Sequence, residues 1–304
     1  MENFELHILG CGSALPTVRH NPTSQILCLR GKSFMIDCGE GTQLQMRRSK
    51  VSFSSLGHIF ISHLHGDHCY GLMGLISTLD LMGRTADLHI HAPGNLEQVL
   101  RPQIDFFCTG IGFKVIFHAF STTTGQTIYE DRSVRVTTIP LAHRIPCCGF
   151  RFDEARKLPH IRRDMMDFLK IPHYAINSIK EGEGWTTADG RFFEHEKLVT
   201  PATPSRSYAY LSDTLFVPEN ALLVEGVDLL FHESTFAECD RIRVQQTGHS
   251  TASQAAQFAK MAQAKRLMIG HFSQRYTDNR ILLEEAQAIF PNTILANENL
   301  RIEI

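Results

Sequence analysis

The run His63-Leu-His-Gly-Asp-His68 places three imidazoles and a carboxylate within six residues. It directly follows the apolar stretch His58-Ile-Phe-Ile-Ser62, so a buried strand is expected to deliver it into a loop. Side chains two apart on extended chain point the same way, so His63 and His65 face one ion together. Asp67 and His68 then turn toward a second position. Imidazole mixed with carboxylate suits a borderline-soft ion such as Zn²⁺, held at about 2.0–2.2 Å. Six residues cannot complete two coordination shells, so further ligands must come from elsewhere in the chain. His143, Asp213 and His271 are the candidates, because each closes an apolar run in the same way as the first motif. The runs are Val134 to Leu141, Tyr208-Ala-Tyr-Leu-Ser212 and Arg266-Leu-Met-Ile-Gly270.

The elements that must position these side chains alternate between strand and helix. β-branched or apolar runs closed by Gly, Pro or Asp predict strands at Phe4 to Leu9, Gln25 to Arg30, Ser33 to Asp37, Gly57 to Ser62 and Asp87 to His91. Helical periodicity appears at Gly41 to Arg48, Gly71 to Met82 and Gly94 to Phe107. Strands are expected again at Phe113 to Phe120, Ser133 to Leu141, Leu229 to His232 and Arg266 to Gly270, with a helix at Asn279 to Phe290. The Thr251 to Ala264 segment carries Ala252, Ala255, Ala256, Ala259 and Ala262 on one helical face, with Ser250 placed to cap it. The pattern predicts sheets flanked by helices, a layered α/β architecture. Between Phe152 and Pro204 the character changes to basic residues and the turn-rich Glu181-Gly-Glu-Gly-Trp-Thr-Thr-Ala-Asp-Gly190. That segment is expected to be an insertion or arm.

Composition excludes several classes. With 304 residues, 43% hydrophobic and 20% charged, the chain is long enough to bury a core and is not a disordered polymer. No stretch approaches the roughly 18 apolar residues that cross a bilayer, so no membrane partner is expected. The first residues show neither a basic n-region nor an apolar h-region, and no secretory signal is expected. Eight cysteines form no CxxC pair and are expected to be reduced core thiols in a cytoplasmic protein. The net charge of −2 by itself gives no support to a nucleic-acid partner.

The HxHxDH pattern at His63, His65, Asp67 and His68 resembles that of the metallo-β-lactamase superfamily. The resemblance implies a four-layer αββα sandwich holding two zinc ions per subunit. It places His63, His65 and His143 on one ion and Asp67, His68 and His271 on the other, with Asp213 bridging. Further segments resemble the ribonuclease Z family of tRNA 3′-processing endonucleases. They are Leu9-Gly-Cys-Gly-Ser-Ala-Leu-Pro-Thr17, Phe34-Met-Ile-Asp-Cys-Gly-Glu-Gly-Thr-Gln43, Leu211-Ser-Asp-Thr214, Phe231-His-Glu-Ser-Thr235, Gly248-His-Ser-Thr251 and Gly270-His-Phe-Ser-Gln-Arg-Tyr276. A dinucleotide-binding fingerprint at Gly10 and Gly12 fails, because its third glycine falls at Leu15.

That likeness implies hydrolysis of tRNA precursors after the discriminator nucleotide, leaving a 3′-hydroxyl. Asp67 is then expected to assist as base and His249 to protonate the leaving oxygen, with Glu233 orienting His249. The helix start behind His249 is expected to disfavour a permanent imidazolium and hold it near neutrality. Arg275 is expected to meet phosphate. A single domain spans 1–304, with 152–204 as the protruding tRNA-gripping arm and a homodimer in which one subunit's arm serves the other's site. The family's Gly-Pro pair is missing from this arm, where Ile171-Pro-His-Tyr-Ala-Ile-Asn-Ser178 stands instead. Two other readings keep the zinc ligands: a hydrolase of small phosphodiesters or sulfate esters, and a non-catalytic RNA-binding protein.

Overall fold

The computed structural model describes residues 3–15 and 17–304; Met1, Glu2 and Pro16, the last within the Leu9–Thr17 motif, lie outside the described residues. Two compact units are present, one of Met1–Asp153 with Arg206–Ile304 and one of Glu154–Ser205. In chain order the strands are β1 Phe4–Gly10, β2 Ser24–Leu29, β3 Lys32–Cys38, β4 Leu56–Phe60, β5 Leu88–Pro93, β6 Val115–Phe120, β7 Thr127–Glu130, β8 Val134–Leu141 and β9 Cys147–Glu154. Four two-residue strands, β10 His160–Ile161, β11 Trp185–Thr186, β12 Phe192–Phe193 and β13 Val199–Thr200, belong to the smaller unit. β14 Ser207–Leu211, β15 Leu229–Glu233, β16 Leu267–Gly270, β17 Thr293–Leu295 and β18 Arg301–Glu303 complete the chain.

The larger unit holds two seven-stranded sheets, ordered β18-β1-β2-β3-β4-β5-β6 and β17-β16-β15-β14-β9-β8-β7. Alternation along β3 shows why they stack. Phe34 and Ile36 enter a core shared with Phe150 and Phe152 of β9 and with Tyr208 and Tyr210 of β14. Met35, pointing the other way, joins Leu72, Leu75 and Ile76 of the helix Gly71–Leu81. Helices Ala252–Met261 and Arg280–Gln287 pack on each other and cover the second sheet. The order is therefore helix, sheet, sheet, helix, the four-layer α/β sandwich.

The predicted strands are all present, with ends shifted by a residue or two. In the larger unit β7, β9, β17 and β18 were not anticipated, nor were the four short strands of the smaller one. β7 is a short polar edge strand, and β9, Cys147-Cys-Gly-Phe-Arg-Phe-Asp-Glu, is buried on both faces along much of its length and lacks clean alternation. One capping assignment is corrected. Thr251, not Ser250, caps the helix Ala252–Met261, in a reciprocal box with Gln254. Ser250 instead donates to the Thr214 carbonyl at 2.6 Å.

Within Glu154–Ser205, Leu169, Ile171, Ala175, Ile179, Leu198 and Val199 form a small core of their own. The unit carries eight lysines and arginines against eight carboxylates. Its ends meet where the Ser205 hydroxyl donates to Ala155 O at 3.3 Å. All eight cysteines are free thiols, but Cys239 is exposed rather than in the core. Among the described residues no helix is long and apolar enough to cross a membrane.

Candidate metal centre and active site

Strands β3 to β6 run parallel, as do β14 to β17. The carboxyl ends of parallel strands are where open α/β sheets place their ligand sites, since the loops there are free of the ladder. β4 leads into the 63–68 motif, β14 into Asp213, β15 ends at Glu233 and β16 leads into His271. His143 follows β8, and Asp37 lies near the end of β3. The structure thus brings all seven proposed ligands together as two sets, His63–His65–His143–Asp213 and Asp67–His68–Asp213–His271.

Asp213 belongs to both sets through different oxygens. Its Oδ2 lies 3.5 Å from His63 Nε2 and 3.6 Å from His143 Nε2. Its Oδ1 lies 3.3 Å from His68 Nε2 and 3.1 Å from His271 Nε2. Asp67 Oδ2 approaches His68 Nε2 at 3.3 Å and His271 Nε2 at 3.5 Å. Asp37, Asp213 and His271 all adopt left-handed backbone, with φ of 55°, 46° and 60°. Such conformers cost of order 1–3 kcal/mol at a non-glycine residue, and three of them gathered here mark a site over-determined by its surroundings.

The histidine tautomers follow from the far side of each ring. His143 Nδ1 donates to the Gly248 carbonyl at 2.8 Å, which can only accept, so its Nε2 carries a lone pair. His68 Nδ1 donates to Asp37 Oδ2 at 2.7 Å. Ser62 Oγ donates to that same oxygen at 2.9 Å and therefore accepts from His63 Nδ1 at 3.0 Å. Thr235 Oγ1 donates to Glu233 Oε2 at 2.6 Å and accepts from His271 Nδ1 at 2.9 Å. Each of these rings has its Nδ1 engaged on the far side and turns its Nε2 inward. His63 Nε2 stands 3.0 Å from His65 Nδ1, which lies 3.2 Å from His143 Nε2. Asp67 Oδ2, His68 Nε2 and His271 Nε2 are buried without any hydrogen-bond partner. Ring nitrogens and carboxylate oxygens crowded this closely repel one another unless a cation lies between them, so the two sets fit metal binding.

The electrostatics agree. Burial lowers the pKa of His63, His65 and His143, the last to about 4. Burial opposes a charge on His68 too, but the carboxylates of Asp213, Asp37 and Asp67 override it and hold that pKa high. His249 corrects an expectation. Burial disfavours its charged form, yet the Glu233 carboxylate, 2.9 Å from Nδ1, raises its pKa to about 9. The buried charge outweighs the helix start behind it. Glu233 also accepts from the amides of Thr214 and Thr235, each at 3.0 Å.

These groups open into a cleft of ≈ 740 Å³ lined also by Tyr70, Arg144, Arg243 and Arg275. Arg275 Nη1 lies 3.8 Å from Asp240, whose other oxygen accepts from the Tyr276 hydroxyl at 2.6 Å. Asp37, Ser62 and Thr235 escaped the sequence reading. The available signal was position alone: Asp37 ends a buried strand beside β4, Ser62 adjoins His63, and Thr235 lies two residues past Glu233.

Comparison with known proteins places this arrangement. The ribonuclease Z of Bacteroides fragilis is 60% identical over 304 residues, covering 100% of both chains. That of Bacteroides thetaiotaomicron is 59% identical over 100% of this chain and 96% of its own. The chain belongs to the ribonuclease Z family. Residues 198–272 match the model of the beta-lactamase superfamily domain, and residues 4–155 match that of the Anti-Pycsar protein Apyc1. The short form of human tRNase Z shares the fold at a TM-score of 0.71 and 24% identity, over 98% of each chain. In this ribonuclease Z family member the ligand sets occupy the seam where the two sheets' strand ends meet.

Proposed function

We propose that the chain is a zinc-dependent endoribonuclease that removes the 3′ trailer of tRNA precursors. It cuts after the discriminator nucleotide and leaves a 3′-hydroxyl. The observation that carries this reading is a buried histidine–carboxylate pair, His249 Nδ1 at 2.9 Å from Glu233, beside two convergent ligand sets, in a chain that matches ribonuclease Z proteins end to end. His63, His65, His143 and Asp213 hold one zinc ion, and Asp67, His68, His271 and Asp213 the other. When bound, the ions lower the pKa of a coordinated water and neutralise charge on the phosphate. Asp67 takes the proton of the attacking water. His249, its Nδ1 committed to Glu233, presents Nε2–H to the departing oxygen, and Glu233 keeps that proton available. Arg275 meets a substrate phosphate.

Residues 152–204 serve as the tRNA-gripping arm of a single 1–304 domain. Its charge sums to zero, so the grip rests on particular groups rather than on a basic field. Arg156, Arg163, Lys170 and Lys180 have no acidic partner among the described residues, and Phe168, Tyr174 and Phe192 expose aromatic rings able to stack on bases. The Ile171–Ser178 segment that replaces the Gly-Pro pair supplies Ile171 and Ala175 to the arm's own core. We place the enzyme in the cytoplasm as a homodimer in which one subunit's arm serves the other's site; the free thiols support the compartment.

A second reading, hydrolysis of small phosphodiesters or sulfate esters, is favoured by the cleft's volume, which lies within the range of small-molecule sites. Both are tested by zinc-loaded wild type, His65→Ala, and a variant with 154–205 replaced by a short Gly/Ser link. Each is assayed on a precursor with a 3′ trailer and on methyl p-nitrophenyl phosphate. A single cut after the discriminator by wild type alone supports the endonuclease, with the armless variant keeping only small-substrate activity. Wild type that hydrolyses only the small ester sinks it in favour of the second reading.

A further inference from the structure

Tyr70 stands immediately beyond the metal-ligand motif, and its placement is unusual for a large aromatic residue. It is 75% exposed, lines the cleft, and makes no ring contact or side-chain hydrogen bond among the described residues. Its backbone is nonetheless well held. Tyr70 N donates to Gly66 O at 2.8 Å, and the helix Gly71–Leu81 begins at the next residue. That helix start is itself pinned, since a Cβ on Gly71 would come within 2.0 Å of Gly39 O.

The ring lies close beside Gly66. A Cβ at Gly66 would fall 2.2 Å from Tyr70 Cε2 and 2.4 Å from Cζ, so only glycine admits the ring there. Gly66 is bonded to His65 on one side and Asp67 on the other, each in one of the two ligand sets. Successive Cα atoms are about 3.8 Å apart, so the ring lies within one nucleotide's reach of the reacting phosphate. The rest of the side chain is open to solvent. A ring seated beside the motif on one side and otherwise exposed adds little to the fold, and is available to be covered by a flat partner.

We infer that Tyr70 is a stacking platform for the nucleobase flanking the scissile phosphate. The inference rests on the endoribonuclease reading and extends it to how the strand is held beside the ions. Stacking suits an enzyme that must cut precursors differing in sequence at the cut, because every base offers a π-face. Without such a platform a single-stranded trailer pivots about its phosphate, and the in-line approach of water is lost.

The test is a double-mutant cycle between the ring and the base. Wild type, Tyr70→Ala and Tyr70→Phe are compared on a trailer-bearing precursor and on precursors made abasic on either side of the cut, with zinc content measured for each protein. Tyr70→Ala is expected to lower kcat/KM on the intact precursor about 5- to 150-fold, the range for losing one base–aromatic stack. Tyr70→Phe should stay near wild type, and the alanine defect should vanish on one abasic precursor. Equal defects on intact and abasic substrates, or none on the intact one, overturn the inference. Should wild type cut no precursor while hydrolysing methyl p-nitrophenyl phosphate, the endoribonuclease reading fails separately. The platform is then judged by anisotropy on a short single-stranded oligonucleotide: base-dependent, Tyr70-dependent affinity sustains it, and unchanged affinity refutes it.

Discussion

Replacing Glu233 by glutamine tests how the leaving group is protonated. Glu233 is fully buried, and its Oε1 accepts from His249 Nδ1 at 2.9 Å and from Thr214 N at 3.0 Å. The amide is nearly the same shape but carries no charge, so the attraction that raises the His249 pKa disappears. With a pKa of about 9, His249 is about nine-tenths protonated at pH 8. Returned to the ordinary value of about 6.5, it is about 3% protonated at that pH, and burial lowers it further. A reaction that needs the protonated form therefore slows by about 30-fold or more at pH 8, and by a much smaller factor at pH 6, about 1.3-fold for a pKa of 6.5. Wild type should lose activity as pH rises through about 9, and Glu233→Gln through 6.5 or below. The assay is kcat on a trailer-bearing precursor from pH 5.5 to 9.5, at saturating zinc, with metal content checked because Thr235 links Glu233 to His271. A defect of equal size at pH 6 and pH 8 refutes the reasoning: Glu233 would then act through the fold or the metal site, and not through the proton on His249.

Two further outcomes are expected. Asp37→Ala removes the acceptor for His68 Nδ1, Ser62 and the Tyr210 hydroxyl, so zinc affinity should fall about 10- to 100-fold in a competition titration against a chelator; unchanged affinity would show that the two rings are oriented without it. At the other end of the first sheet, His91 stacks on Phe60 at 4.6 Å and on His118 at 4.5 Å, and burial, with the neighbouring imidazoles, lowers its pKa to about 3. A histidine whose pKa is lowered by folding stabilises the fold above its unfolded value of about 6.5 and loses that contribution as pH falls toward 3. Between pH 8 and pH 5 this amounts to about 2 kcal/mol. His91→Phe, which keeps a ring on Phe60, should remove that part of the acid sensitivity in denaturant melts at the two pH values; an unchanged pH dependence would mean that the imidazole is solvated in the fold.

Much of the site was legible because its ligands share one local signature, a His or Asp where an apolar run stops. Strand ends at parallel sheets gather in space, so residues as distant as His63 and His271 could be paired without knowing the register. The groups that orient those ligands carry no such mark. Thr235 looks like any hydroxyl after a strand, and the acceptor for His143 is a backbone carbonyl, that of Gly248, which no residue type announces. Glu233 was expected to orient His249, yet the helix start was given the greater weight in setting that ring's charge; only the fold shows the carboxylate fully buried at 2.9 Å, where its charge outweighs the helix start. Exposure was equally hidden: the pattern around Tyr70 reads as a helix start, and only the folded chain shows the ring lying exposed beside Gly66.

The orienting groups also explain why the centre needs both sheets. Asp37, at the end of β3, holds His68 directly and His63 through the Ser62 hydroxyl. Glu233, at the end of β15, holds His249 directly and His271 through the Thr235 hydroxyl. Each sheet thus contributes one buried carboxylate that fixes one ring by a charged hydrogen bond and a second by a relay. The rings so fixed cross the seam, since His68 and His271 meet Asp67 and Asp213 in a single set. A shift of one sheet against the other would misalign a ligand pair before it breached the core, so the aromatic packing of Phe34, Phe60, Phe150 and Phe152 between the sheets sets the precision of the metal site as well as the stability of the fold.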